Sequence, residues 1–238
     1  MTIEVLYPEL CNLYGDQANI TYLAKCVPDA TVYRTHNRET PRFVSEHVDL
    51  IYLGAMTESK QELAVSRLLP YREKLWKLIE CGTFILATSN AVELFGEKIM
   101  DGEQTIPALG YFNYTAKRDL LNRHNSMFLG TFEGMKIVGN KSQYSFSFGQ
   151  ADHPFIQVTG GCGMNRDSAV EGIHYKNFFG TYLLGPFLVL NPLFTQYLLR
   201  QMGCDVTPAF FEAAMEAYTY RLTALERPGV NFMMGDHC

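Results

Sequence analysis

The chain has 238 residues, with 20 basic against 25 acidic side chains and a formal net charge of −5. Apolar residues make up 47% and charged residues 19%, which excludes a disordered chain and points to one sizeable globular unit. No basic stripe is present, so nucleic acid is excluded as the expected partner.

The six cysteines (Cys11, Cys26, Cys81, Cys162, Cys204, Cys238) are scattered, with no C-x-x-C pair. Met1-Thr2-Ile3-Glu4-Val5 puts an acid where a secretory leader needs bases. Both features point to reduced thiols in a cytoplasm. Residues 177–199 carry no charge and are long enough to span a bilayer, but Gly180, Gly185, Pro186, Asn191 and Pro192 cut the run. Strand, turn and helix are expected there, with no membrane span.

In chain order, residues 2–7 read as a strand that Pro8 ends. Gly15-Asp16 starts a helix with Asp16 as its cap. Residues 30–35 and 49–54 read as short strands, and residues 61–80 as a helix kinked at Pro70 and stopped by Gly82. Residues 83–87 form an apolar run of the length of a buried parallel strand. Thr88, Ser89 and Asn90 break that run, and a helical pattern resumes with Val92, Leu94 and Phe95. Strand, sharp turn and helix, with Ala87 and Ala91 flanking Ser89, is the layout of a nucleophile elbow. Backbone N–H groups at such a helix start would face a developing oxyanion.

After Gly96 the composition shifts to aromatics, Gly and Asn, with a turn at Met100-Asp101-Gly102-Glu103. Strands are expected at residues 127–132, 135–138, 155–159, 169–174 and 178–184. Asn191-Pro192 and Thr207-Pro208 start two helices, with Asn191 as a cap, and the tail from Glu226 is expected to be loose. The whole predicts a single domain: an elbow half over residues 1–96, a second half over 97–225 and a tail over 226–238. Alternating strands and helices predict a three-layer α/β fold with a mostly parallel sheet and added antiparallel strands. Sites in such sheets lie outside the carboxyl ends of the strands, where Gly54-Ala55 and Thr88-Ser89 fall.

Four stretches carry a family resemblance. Asn12-Leu13-Tyr14-Gly15-Asp16-Gln17-Ala18-Asn19 is similar to an N-L-Y-G-D-R-G-N opening, and residues 49–54 to the strand before a glycine-rich oxyanion turn. Residues 82–96 are similar to the strand and elbow of a nucleophilic cysteine. Gly172, the run from Gly180 to Pro186 and Asn191-Pro192 are similar to an E-G…G-T-Y-L-H-G-P…N-P ending. The chain thus resembles class I glutamine amidotransferase domains of the cobyric acid synthase type, and within them the glutaminase subunits of the lipid II amidation type. The resemblance implies a flavodoxin-like amidotransferase fold, no cofactor, a pocket for glutamine or a small ligand like it, and a Mur-ligase-like or other synthetase partner. It implies a place in cell-wall or cobalamin metabolism. By the same resemblance Ser89 stands at the nucleophile position, Leu184 at the position of the family histidine, and Gly54, Ala55 and Asn90 at the oxyanion and ligand-binding positions. Tyr14, Asp16 and Glu93 are further candidates for the pocket edge.

Class I glutamine hydrolysis needs a nucleophile, a base that activates it and donors for the oxyanion. The family elbow reads C-G-G and this chain reads Ser89-Asn90-Ala91; the family's L-H-G-P becomes Leu183-Leu184-Gly185-Pro186. A leucine accepts no proton. The first expectation is therefore an amidotransferase-like binding or scaffolding subunit without glutaminase activity. The alternatives are an active amidohydrolase using Ser89, with His174 as its base from a neighbouring strand, and a small-ligand sensor. His36, His47, His124, His153 and His237 form no ligand-spaced set, so no metal is expected. Gly160-Gly161-Cys162-Gly163 lacks the lysine of a phosphate loop and reads as turn glycines. The last helix carries an apolar stripe, read as core packing or as a partner surface.

Overall fold

The structure is a computed structural model that describes residues 1–150 and 152–234. Short apolar runs alternate between two cores, as strands buried on both faces must. Leu50, Tyr52, Phe84 and Leu86 enter one core, while Ile51, Leu53, Ile85 and Ala87 enter the other. The first half supplies β1 (Thr2–Leu6), α1 (Ala18–Cys26), β2 (Thr31–Thr35), β3 (Leu50–Leu53), α2 (Glu58–Leu68), α3 (Arg72–Glu80) and β4 (Phe84–Thr88). Its strands pair in parallel in the order β2-β1-β3-β4.

The second half adds β5 (Lys98–Asp101), β6 (Gln104–Pro107), β7 (Tyr114–Arg118), β8 (His124–Phe132), β9 (Met135–Gln143), β10 (Ser145–Gly149), β11 (Pro154–Gly160), β12 (Val170–Tyr175) and β13 (Phe178–Thr181). It closes with α4 (Phe187–Leu190), α5 (Pro192–Gln201) and α6 (Phe211–Leu225). β13 joins β4 in parallel, and β12, β11, β8 and β9 extend the sheet antiparallel to nine strands. α1, α4 and α5 cover one face; α2, α3 and a four-stranded sheet in the order β10-β7-β5-β6 cover the other. This is the expected three-layer α/β fold with added antiparallel strands. No helix of the described residues is long and apolar enough to cross a membrane.

Several local expectations change. α1 begins at Ala18, and Asp16 does not cap it; its carboxylate turns into the core. The kink at Pro70 is a tight turn over Leu69–Tyr71 that separates α2 from α3. The helix after Ser89 is a fully buried 3-10 turn over Ser89–Phe95. The strand expected to reach residue 184 stops at Thr181, because the Glu171 carboxylate accepts the Thr181 hydroxyl (2.9 Å) and the Tyr182 N–H (2.6 Å). Asn191 makes no capping bond: its side chain bonds both the N–H and the carbonyl of Val138, at 2.8 and 2.9 Å. β5, β6, β7 and β10 were not expected; in β10 the small polar Ser145 and Ser147 turn inward while Phe148 is exposed, the reverse of the usual apolar pattern. The apolar stripe of α6 turns Ala214, Tyr218 and Leu225 inward, the last two packing with Leu129 and Val138. The tail, expected to be loose, is held to β8: Met127 N–H donates to Phe232 and Met234 N–H to Asn125, at 2.8 and 3.1 Å. Residues 235–238 of that tail lie outside the described residues.

Asp16 organises the end of the sheet. It is fully buried, and its Oδ2 accepts the Ala55 N–H (2.7 Å) and the Thr88 hydroxyl (2.5 Å). Gly185 N–H bonds the same carboxylate. Burial pushes the Asp16 carboxyl above the usual carboxylate range, and the bonds from Thr88, Ala55, Tyr52 and Gly185 pull it back. Two glycines make room for it. A Cβ on Gly54 would stand 2.7 Å from Asp16 Oδ2, and one on Gly185 would collide with the carboxylate and stand 2.8 Å from Asp16 Cα.

Gly185→Ala is therefore expected to lower unfolding free energy by about 1–3 kcal/mol or more, the usual cost of overpacking. Gly134→Ala, at φ +76° in an open hairpin with nothing within 4 Å, carries only left-handed strain of about 1–2 kcal/mol. Denaturant unfolding of the two variants measures both. A second prediction concerns pH. His174 stacks on Phe179 (4.3 Å between centroids, 13° between planes), with Nδ1 3.2 Å from the Phe178 carbonyl. Burial lowers its pKa, opposed by the Phe178 bond and Glu133, with His153 nearby. The fold thus favours the neutral ring, and stability falls as pH drops below the ordinary imidazole value of about 6.5. His174→Phe is expected to flatten the slope of the unfolding midpoint between about pH 7 and pH 5.

Candidate functional site

Ser89 follows β4 at the carboxyl end of the parallel strands, with a left-handed backbone (φ 55°) that a non-glycine residue adopts at a cost of about 1–2 kcal/mol. The neighbours enforce it: Asp16 fixes Thr88, and Asn90 is clamped on the other side. This is the strained backbone of an elbow. Ser89 borders a cavity of about 230 Å³ whose wall also includes Tyr14, Met56, Glu58, Asn90, Arg123 and Gln143. The Ser89 hydroxyl makes no hydrogen bond to a described residue, and the cavity wall holds no histidine, lysine or cysteine among them.

The donor turn after β3 is already engaged. Ala55 N–H points to Asp16, and Met56 N–H donates to Asn90 Oδ1 at 3.1 Å. Asn90 Nδ2 returns the contact to the Met56 carbonyl at 2.8 Å, so the side-chain amide pairs with the peptide at two points. Gln61 Nε2 holds the Asn90 carbonyl (2.7 Å) and Glu93 (2.8 Å), and its Oε1 accepts Arg118 Nη2 at 2.8 Å. Arg118 also pairs with Glu62 (2.7 Å) and Asp101 (3.0 Å), which ties the small sheet to α2.

Of the residues singled out in the sequence, Ser89, Asn90 and Tyr14 line the cavity. Gly54, Ala55 and Asp16 lie behind it, and Met56 presents the turn to it. Glu93 is not at the edge. It is buried beneath the cavity, bonded by Ser145 and Gln61, and burial pushes its carboxyl up against those bonds. Leu184 is half-buried, with its N–H on the Asn140 carbonyl at 3.0 Å. Thr88 and Gly185 share the Asp16 carboxylate, so Ser89 and Leu184 are each next to a residue fixed by one group. His174 is half-buried, stacked on Phe179, and does not line the cavity. No group of three or more His, Cys, Asp or Glu among the described residues is placed to hold a metal ion.

Arg123, Gln61 and Gln143 carry no sequence signal. Arg123 is placed by a turn: its guanidinium bonds the Tyr14 hydroxyl and lies over the Tyr14 and Tyr144 rings at 5.8 and 5.3 Å. Gln143 is buried, donates to the Ser145 carbonyl at 2.5 Å, and leaves Oε1 without a partner among the described residues.

Residues 2–192 match the CobB/CobQ-like glutamine amidotransferase domain. Over 226 residues the chain is 27% identical to the lipid II isoglutaminyl synthase (glutamine-hydrolyzing) subunit GatD of Streptococcus pneumoniae (strain ATCC BAA-255 / R6), covering 88% of this chain and 85% of that one. Over 215 residues it is 30% identical to the subunit of the same name from Staphylococcus aureus (strain N315), covering 86% and 85%. A crystal structure of a glutamine amidotransferase superposes with a TM-score of 0.57 at 12% identity, over 84% of this chain and 98% of the other. PurLQS from Thermotoga maritima superposes with a TM-score of 0.55 at 14% identity, over 93% and 98%; at such identities these two speak for the fold alone. With residues 2–192 matched and the elbow, donor turn and late strand in their places, the chain belongs to the CobB/CobQ-like glutamine amidotransferase family.

Proposed function

We propose that this chain is an amidotransferase-like subunit without glutaminase activity that binds or scaffolds beside a synthetase of the Mur-ligase-like kind. One observation carries the reading: the Ser89 hydroxyl borders a cavity whose described wall holds no histidine, lysine or cysteine and whose groups do not bond it, while both donors of the turn beside it are engaged internally. A serine hydroxyl is far less acidic than a thiol and depends more on its base. Loss of a base removes a factor of about 10²–10⁴ in rate, and loss of one oxyanion donor about 10²–10³. These factors do not simply multiply, but what is left is binding. Glu58 is the one carboxylate on the described wall; it does not bond Ser89. The names of the two relatives, each a subunit of a lipid II isoglutaminyl synthase, support a role beside a partner chain and a place in cell-wall chemistry.

A second reading, a small-ligand sensor, is favoured by what the cavity keeps. Arg123 offers a guanidinium on the cavity wall for a carboxylate, which a small amino acid such as glutamine presents.

Incubated with glutamine, the purified chain is expected to release ammonia no faster than its Ser89→Ala variant. Turnover that disappears on Ser89→Ala would overturn the inactive reading. Calorimetric titration with glutamine is expected to show heat that Arg123→Ala weakens about tenfold, the loss of one charge-assisted contact.

A further inference from the structure

We propose that the cleft walled by Trp76 and Tyr111, at the opposite end of the sheet from Ser89, binds a nucleoside phosphate. Tyr175 ends β12 beside Phe178, which pairs with Ile85 at the start of β4, so the cleft lies at the amino end of the strand whose carboxyl end carries Ser89. Two adjoining cavities of about 540 and 290 Å³ meet at the Trp76 and Tyr111 rings.

The walls are held in place. Trp76 packs against Tyr111 with centroids 5.0 Å apart and lies parallel to Tyr175, 6.0 Å away at an interplanar angle of 1°. The Tyr111 hydroxyl bonds the Arg72 carbonyl, and the Tyr175 hydroxyl donates to Glu80 at 3.0 Å. These rings are half-buried, so their edges and faces reach the cavities without a large ordering cost.

The larger cavity is lined by Arg72, one turn of α3 before Trp76, and by Lys77, the residue after it, and neither makes an ion pair with a described residue. Glu73 is the one acid on that wall, so the patch is cationic in a chain of net charge −5. The Arg72 guanidinium lies 3.1 Å from where a Cβ would stand on Gly110, and Gly110 has φ +69°; glycine is needed there and keeps the wall open. The smaller cavity carries the amides of Asn113 and Gln150, with Asp152 and His153 beside them, so its polar end suits a base edge and the phosphate belongs at the Arg72 and Lys77 end.

Aromatic faces, a cationic end and an amide end correspond to the base, the phosphate and the base edge of a nucleotide. Phosphate alone would leave the rings uncovered, and a purely apolar ligand would leave two cations without a counterpart.

Trp76 is the only tryptophan of the chain, so its emission reports the cleft directly. The full chain is titrated with ADP and UMP, and in parallel with adenosine and inorganic phosphate. The expected result is a saturable change with a nucleotide, and binding at least about tenfold weaker for adenosine and for phosphate. The double variant Arg72→Gln/Lys77→Gln should weaken nucleotide about tenfold or more at an unchanged melting temperature, while Ser89→Ala leaves it unaltered. No saturable change with any nucleotide into the millimolar range, phosphate binding as tightly as a nucleotide, or equal affinity in the double variant would each overturn the proposal.

Discussion

The buried carboxylate of Asp16 is the constraint on which this end of the molecule depends. It collects the Ala55 N–H after β3, the Thr88 hydroxyl at the end of β4 and the Gly185 N–H after β13. A buried charge of this kind is costly unless each lone pair is satisfied, and here the donors come from three separate segments. Removing the carboxylate would take the Asp16 partner from the Ala55 and Gly185 N–H groups and leave Thr88 only the Tyr52 hydroxyl. The opening stretch, the donor turn, the elbow and the late strand are thereby locked into one arrangement. Gly54 and Gly185 are glycines because the carboxylate occupies the space of their side chains.

That lock explains how the elbow holds its shape through bonds that do not involve the Ser89 hydroxyl. Ser89 keeps a left-handed backbone because Thr88 and Asn90 on either side are fixed by bonds to Asp16 and Met56. Asn90 goes further: its side-chain amide pairs with the Met56 peptide at both ends, so the turn is closed upon itself. A network of Gln61, Glu93, Ser145 and Arg118 supports that closure from beneath. The backbone geometry of this turn is carried by residues other than Ser89 itself.

Much of the fold was legible in the residues. The runs at Leu50–Leu53 and Phe84–Thr88 are short, apolar and alternate between two cores, which only a buried parallel sheet explains. The break at Thr88-Ser89-Asn90 marked the elbow for the same reason. The small sheet was not legible: Lys98–Asp101 and Gln104–Pro107 are four-residue strands of mixed polar and apolar residues, and β5 is joined to β7 by Arg118 on Asp101 and by pairing across the intervening segment. Asp16 was read as a helix cap, its commonest role, since local sequence does not show that three donors converge on it. Arg123 reaches the cavity only through a turn and the Tyr14 ring, which no spacing rule encodes.

The central claim is that Ser89 has the position of a nucleophile and not its reactivity. The most direct measurement is intact-mass analysis after exposure to a glutamine-shaped chloroketone, an electrophile that an activated nucleophile in such a pocket alkylates whether or not turnover follows. The account predicts no adduct on Ser89, with any alkylation confined to accessible thiols such as Cys81. A single adduct mapped to Ser89, and abolished by Ser89→Ala, would contradict it.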